Sequence, residues 1–451
     1  MEERQPGLYS LPWQADISLR FSHFHHAPGA VLLDSGQPAS AAPARFDIAS
    51  AWPLQQISPH AKETSTDFLE RARQLLRQLP ADGSTRHDQL PFTGGLLGYL
   101  SYHFGQPASR HPRTLPGARV GLYDWALIND HQHQRSWLFC HGSMAHERRQ
   151  FLLQMLQTQQ QPVSSRFRLL KCFQPLISAE KYRQGIEQVQ AEIRAGTCFQ
   201  VNFTQRFDTL YEGDPWTAYR VLRQHCPTPY AGFVRLGPQD AILSASPERF
   251  LGIINGQLEA RPIKGTRRRG HTREEDRALA AELLASAKDR AENLMIVELQ
   301  AAELAPLCTD VSTPQLAQLE SYPTVHHLVS CVQGRLKPGT DALNVVDQCF
   351  PGASISGTPK QPVVRLIDQL EACSREIYCG SLFYLDNRGR FDSSICIRTL
   401  LAVNGNIHCW GGGGITLASE WQAEYQESVD KVNLLMQSLQ AMHNLPVRNG
   451  D

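Results

Sequence analysis

The strand signals of this chain come in a block, and so do its helix signals. Residues 198–211, "CFQVNFTQRFDTLY", alternate apolar and polar positions as a half-buried strand does. "AGFVRLG", "QDAILSASPERF" and "FLGIINGQLEARP" follow as further strands, the last with an Asn-Gly turn. The period then changes. "HTREEDRALAAELLASAKDRAENLMIVELQAAEL" is helical, with Thr272 and Glu275 in capping-box positions. "SEWQAEYQESVDKVNLLMQSLQAM" reads as another long helix, capped at Ser419 and stopped before Pro446. A helix also precedes the block: Ser178 caps it, Tyr182, Ile186, Val189 and Ile193 carry its apolar stripe, and Gly196 ends it. Strands that run together, with long helices after them, predict an α+β architecture rather than strictly alternating parallel α/β.

Composition narrows the class. The chain has 451 residues, 41% hydrophobic and 20% charged, which suits one large globular domain or two. Its net charge is zero, so no general attraction to nucleic acid or anionic membrane is expected. No run approaches the roughly 18 apolar residues of a membrane span, and "MEERQPGLYSLPWQ" lacks the apolar core of a signal peptide. The eleven cysteines are scattered, without CxxC pairs or zinc spacing. Free thiols in the cytoplasm are the expectation. In the first half, residues 29–50, 92–105 and 121–131 read as strands, the first stretch as two with a loop between. The Gln-rich stretch 154–165 reads as a linker, dividing an N-terminal region, 1–160, from a second region, 175–445.

Four clusters carry candidate chemistry. Lys264 sits in "RPIKGTRRRG", and Glu248 in "SASPERF" lies one hairpin away. A lysine is a nucleophile only when neutral, and both burial and neighbouring cations favour that form; otherwise these residues form a solvated turn. Glu292 lies within the apolar stretch "AENLMIVEL", where burial beside a partner or a surface position are both open. On the last helix Glu420, Glu424, Glu427 and Lys431 fall on one stripe, a row of oxygen ligands suited to Mg2+ or a solvated face. Finally, "CWGGGGIT" predicts a glycine run between strand and helix, either turning backbone N–H groups to an anion or packing closely, and Arg398 offers a fork for a carboxylate. The glycines match neither nucleotide-binding spacing.

Together these stretches resemble the chorismate-utilising enzymes, a family that includes anthranilate synthase component I, isochorismate synthase and aminodeoxychorismate synthase component I. The resemblance spans nearly the whole chain. It rests on "GTCFQVNFTQRF", "SASPERF", "PIKGTRRRG", "KDRAENLMIVEL", "YPTVHHLVS", "FPGASISGTPK", "IYCGSLFYL", "FDSSICIRTL", "GGGGIT" and "AEYQESVDKVN", in family order. It implies an anthranilate synthase component I-like fold, with large packed antiparallel β-sheets flanked by helices. Members that aminate chorismate at carbon 2 typically have alanine where Lys264 stands. Gln200 stands where the water-adding members place a lysine. Both features resemble the branch that aminates carbon 4.

What the resemblance implies is specific. Lys264 would be the nucleophile that attacks carbon 2, with Glu248 as general acid and His327 near the departing hydroxyl. Glu292 and Glu424, with Glu427 beside them, would hold Mg2+. Gln200, Ser354, Tyr378, Arg398, Gly414 and Lys431 would line the substrate site. Ser35 in "VLLDSG" falls where relatives hold tryptophan, as inhibitor or structural ligand. No glutaminase signature is visible, so ammonia would come from solution or from a glutamine amidotransferase subunit in a heterodimer. An anthranilate synthase, or a divergent chorismate-binding paralogue with little turnover, are the rival readings. The chain departs from the family after "MIVEL", where "QAAELAPLCTD" replaces an Arg-Asn-Asp element, and at "SGTPK" in place of Gly-Ala-Pro-Lys.

Overall fold

Two antiparallel sheets dominate the structure, a computed structural model that describes residues 7–36, 45–81, 87–157, 165–322 and 325–443. Among the described residues the larger sheet has 13 strands and the smaller has 10. The expected α+β architecture is present, with helices such as Ala179–Arg194, Ala287–Leu304 and Trp421–His443 packed against the sheets. Strands from both sides of the Gln-rich stretch share each sheet. In the larger, Val31–Asp34 pairs with Tyr230–Arg235; in the smaller, Gly95–Leu100 pairs with Ser381–Asp386. Most of the predicted linker, residues 158–164, lies outside the described residues.

Several local details differ from the sequence reading. The stretch 121–131 is not one strand. Ala118–Tyr123 belongs to the smaller sheet and Trp125–Asp130 to the larger, and the chain crosses between them at Asp124. Asp124 is buried, and Arg148 meets its carboxylate at 3.1 Å, so a charged residue in an apolar run marks the crossing. The helical block after residue 272 is two helices, Arg273–Ala285 and Ala287–Leu304. They break at Ser286, whose hydroxyl caps the second by accepting the Asp289 N–H. Helix Pro215–His225 went unread, although Asp214 caps it, Pro215 opens it, and Trp216, Tyr219 and Leu222 give it a buried stripe. Thr272 does cap its helix, but the Glu275 carboxylate reaches back to the His271 N–H rather than closing a capping box.

The glycine run is the largest revision. Gly411–Gly414 is not a turn before a helix; it lies within strand Asn406–Ile415, which pairs with Gln200–Gly213. Gly411 is required because the helix Trp421–His443 presses directly on the strand, and Gly412 because the paired strand Gln200–Gly213 does. A Cβ at Gly411 would lie 2.0 Å from the Ser428 carbonyl, and one at Gly412 2.3 Å from the Phe203 carbonyl. Backbone cannot move aside as a flexible side chain can. Gly411→Ala should therefore cost about 3 kcal/mol of stability or more through overpacking, read as a lower urea midpoint at unchanged slope.

Candidate active site

The glycine strand and its covering helix form one wall of a cavity of about 1020 Å³. The opposite wall comes from Ile263–Arg268, and the rear from the turn Ala353–Ile355. Of the fourteen residues singled out from sequence, eleven line this cavity: Glu248, Lys264, Glu292, His327, Ser354, Tyr378, Arg398, Gly414, Glu424, Glu427 and Lys431. They come from segments as far apart as Glu248 and Lys431, 183 positions along the chain, brought together by the sheet pairing. Glu420 does not line it. Gln200 lies outside too, its amide pressed against Gly414, where a Cβ would come within 2.0 Å of Nε2. Ser35 is remote, buried among strands Val31–Asp34 and Phe46–Ser50, with its N–H and hydroxyl both bonded to Asp47.

Lys264 enters the cavity because its strand is irregular. Ile263 opposes Val329 and Thr266 opposes His327, so Lys264 and Gly265 together face the single residue Leu328. That is a β-bulge, which re-aims the side chain. Gly265 takes φ +93°, a conformation that favours glycine. The Lys264 ammonium donates to the Ser354 carbonyl at 3.4 Å. Burial lowers its pKa, and Lys431 pushes the same way; Glu248, Glu292 and Glu427 oppose them. Glu248 is 5% exposed and accepts from the Ser354 hydroxyl at 3.2 Å. Burial raises its carboxyl to about 7, against the pull of Lys264. A depressed amine beside an elevated carboxyl is the pattern of a nucleophile paired with an acid–base group.

The remaining walls divide by charge. His327 shares a 2.8 Å hydrogen bond through Nδ1 with Thr266 Oγ1, and burial, aided by Arg398, pushes its pKa down to about 3. It is therefore a neutral imidazole that offers hydrogen bonding rather than a positive charge. Arg398 adopts φ +48° with a non-glycine side chain, a strained backbone of the kind held at functional sites. Its guanidinium has no ion pair or hydrogen bond among the described residues and faces the cavity. Tyr378 stacks at 8° on Trp410 behind it. Over Gly413, Glu424 Oε2, Glu427 Oε1 and Lys431 Nζ converge within 3.0–3.6 Å of where a Cβ would sit.

The acidic cluster is balanced by lysines. Glu427 pairs with Lys431 at 2.6 Å, and Lys288 stands 3.9 Å from Glu292. Burial pushes the Glu427 carboxyl up, but Lys431 outweighs it and the pKa falls. Glu424 goes the other way: burial raises it, Glu427 adds to the rise, and the Ser419 hydroxyl, 2.7 Å from Oε1, resists it. Ser419 thus serves Glu424 rather than capping the helix, which begins at Trp421. Among the described residues no group of three or more His, Cys, Asp or Glu side chains is arranged to hold a metal. Lys288, Asn202 and Trp410 also line the cavity and were not read from sequence. The pairing of Lys288 with Glu292, four residues on along one helix, is the signal that would have found the first.

The altered segment after "MIVEL" leaves its helix unbroken to Leu304, and Glu303 pairs with Lys360 of "SGTPK" at 2.6 Å. The altered segment thus touches the second motif through Lys360, the lysine that this motif shares with the family pattern.

Comparison with known proteins decides the family. The chorismate binding enzyme family matches residues 30–437. The chain belongs to the chorismate-binding enzymes. Within that family it is similar to aminodeoxychorismate synthase component 1 of Escherichia coli, at 40% identity over 98% of this chain and 100% of the relative. The protein of the same name from Bacillus subtilis is 30% identical, with 98% of each chain covered. Among solved structures, anthranilate synthase component I from Streptococcus pneumoniae superposes with a TM-score of 0.74 at 28% identity, covering 88% of this chain and 94% of that one. The menaquinone-specific isochorismate synthase of Escherichia coli gives 0.76 at 18% identity, covering 97% and 95%, and shows a shared fold. Like them, this chorismate-binding chain has the expected anthranilate synthase component I-like architecture. Among its described residues no helix is long and apolar enough to cross a membrane, and all eleven cysteines are free.

Proposed function

We infer that this chain aminates chorismate at carbon 4 to 4-amino-4-deoxychorismate, for para-aminobenzoate and folate synthesis. The observation that carries the reading is Lys264, depressed by burial and set beside the elevated Glu248 within the family's cavity. Near-full-length identity to relatives named aminodeoxychorismate synthase component 1 supports it. The Lys264 amine attacks carbon 2 while the carbon 4–oxygen bond breaks. Glu248, protonated, gives its proton to the departing hydroxyl, which leaves as water. His327 hydrogen-bonds to that hydroxyl as a neutral ring. Ammonia then adds at carbon 4, and the lysine leaves carbon 2 as the free amine. Arg398, Lys431 and Tyr378, with the Gly414 backbone and Ser354, hold the substrate, and Gln200 supports Gly414 from behind.

The acidic cluster fits Mg2+. Glu424 is 7% exposed; Oε1 takes the Ser419 hydroxyl, while Oε2 lies over Gly413, faces the cavity and accepts no hydrogen bond among the described residues. Mg2+ usually takes one or two carboxylates and completes its shell with water and substrate oxygens. Glu424 and Glu292 would hold the ion with Glu427 beside them, and the bound cation supplies positive charge toward a substrate carboxylate. Ammonia is supplied by a glutamine amidotransferase subunit, in a heterodimer within the cytoplasm. Tryptophan binds beside Ser35; calorimetric titration of the chain with tryptophan tests that site.

Two measurements follow from this reading. The purified chain, given chorismate, Mg2+ and ammonium at mildly alkaline pH, should yield 4-amino-4-deoxychorismate, identified by mass and chromatography. Anthranilate as the product would move the chain to carbon 2, and no turnover even with an amidotransferase present would end the carbon 4 reading. Arg398→Gln should raise the KM for chorismate by about 10- to 100-fold, the loss of a charged hydrogen-bond fork. An unchanged KM would remove Arg398 from the substrate site.

A further inference from the structure

The turn that joins Lys264 to Glu248 is held in part by residues that do not line the cavity. Ser354 gives its carbonyl to the Lys264 amine and its hydroxyl to Glu248, yet no side chain caps the turn Ala353–Ile355. The Asn202 amide donates to the Ile355 carbonyl at 2.8 Å, and Arg375 ties the turn further. Nη1 donates to the Ile355 carbonyl at 3.0 Å, and Nη2 donates to the Asn202 carbonyl at 2.5 Å and to Glu371 at 2.6 Å. Glu371 in turn accepts the Thr204 N–H at 2.9 Å and hydroxyl at 2.8 Å. One guanidinium therefore ties the catalytic turn to strand Gln200–Gly213 and to the end of helix Lys360–Leu370. The pair is sealed, with side chains 1% and 4% exposed.

We propose that the Glu371–Arg375 pair positions the reacting groups, fixing the 353–355 turn and through Ser354 the spacing of Lys264 and Glu248. This rests on the carbon 4 reading, with Lys264 as nucleophile. A buried ion pair is weak grounds for stability, because desolvation offsets most of its attraction. Arg375 is instead the one donor that serves two backbone carbonyls and a carboxylate together, which a lysine cannot do.

A second cavity, of about 200 Å³, lies on the far side of the pair and is lined by Tyr102, Glu371 and Arg375. The Tyr102 ring lies 4.7 Å from the guanidinium, so truncating Arg375 leaves a planar slot that opens into this cavity. That permits chemical rescue. The full chain carrying Arg375→Ala is assayed for aminodeoxychorismate formation with millimolar guanidinium chloride, beside sodium chloride as control. The expected result is a kcat lower by about 100-fold, the cost of an ångström-scale misplacement, with KM for chorismate within about threefold. Guanidinium should restore kcat by about tenfold or more in this variant and not in Lys264→Ala. A folded variant that keeps its kcat, a loss confined to KM, or guanidinium raising the melting temperature without kcat would each overturn the proposal. Arg375→Lys keeps the charge beside Glu371 and should still lose kcat; wild-type kcat there overturns the proposal whether or not the alanine variant folds. If neither variant folds, the pair is a folding determinant and the proposal falls. Absence of aminodeoxychorismate from the unaltered chain would instead sink the carbon 4 reading, and is read before any variant.

Discussion

Lys264→Ala should abolish amination at carbon 4, lowering kcat/KM by at least about 10³-fold. The size of the effect follows from the site. Burial takes the ammonium out of water, Lys431 adds repulsion, and the bulge at Gly265 aims the amine inward. Among the described residues no other amine occupies that place: Lys431 is paired with Glu427, and Lys288 stands by Glu292. Lys264→Arg should be equally inactive, because a guanidinium stays protonated and is no nucleophile. Both variants should melt near the wild-type temperature, since the lysine makes a single long hydrogen bond. Steady-state assay of product by chromatography reads the result. Substantial 4-amino-4-deoxychorismate from either variant would remove the covalent step from the mechanism.

Glu248→Gln should lower kcat by about 10²- to 10⁴-fold, the usual contribution of a general acid. The pH profile distinguishes this from a positional effect. Glu248 acts in its protonated form, so the wild-type rate should fall as pH rises through about 7, and that limb should vanish in the variant. Stability follows the same direction with pH. The folded carboxyl binds its proton more tightly than the unfolded one, so it destabilises the fold as pH rises from the ordinary carboxyl range through about 7. Removing the charge should raise the melting temperature above neutral pH and change little in acid. A variant less stable at pH 8 than the wild type would show Glu248 to be a structural anchor.

How much of this was legible from sequence depended on the range of the interaction. The helix Ala179–Arg194 and its Ser178 cap were readable because cap, stripe and stop lie within one segment. The eleven cavity residues were readable through ordered motifs, not through any spacing that a reader could convert to distance. What failed was register and close approach. The four glycines look like a turn in one dimension; pairing with strand Gln200–Gly213 makes them a strand, and the helix and that strand together leave no room for side chains. Asp124 looked like a polar position in a strand, because its partner Arg148 lies beyond another strand. The Glu371–Arg375 pair left no mark, since its job is to bond backbone carbonyls contributed by Asn202 and Ile355, and carbonyls are the same in every residue.

The sharing of both sheets by strands from either side of residues 158–164 bears on how the chain reaches this state. A ribosome that has released only the first half has made Val31–Asp34 and Gly95–Leu100 but not the partners they need, Tyr230–Arg235 and Ser381–Asp386. Each of those pairings closes a loop of roughly 200 residues or more, and such distant contacts form late and slowly. Until then the nascent chain carries open strand edges, which are templates for aggregation. Slowed translation or chaperone supply, more than any point substitution, should govern how much of this protein a cell recovers in soluble form.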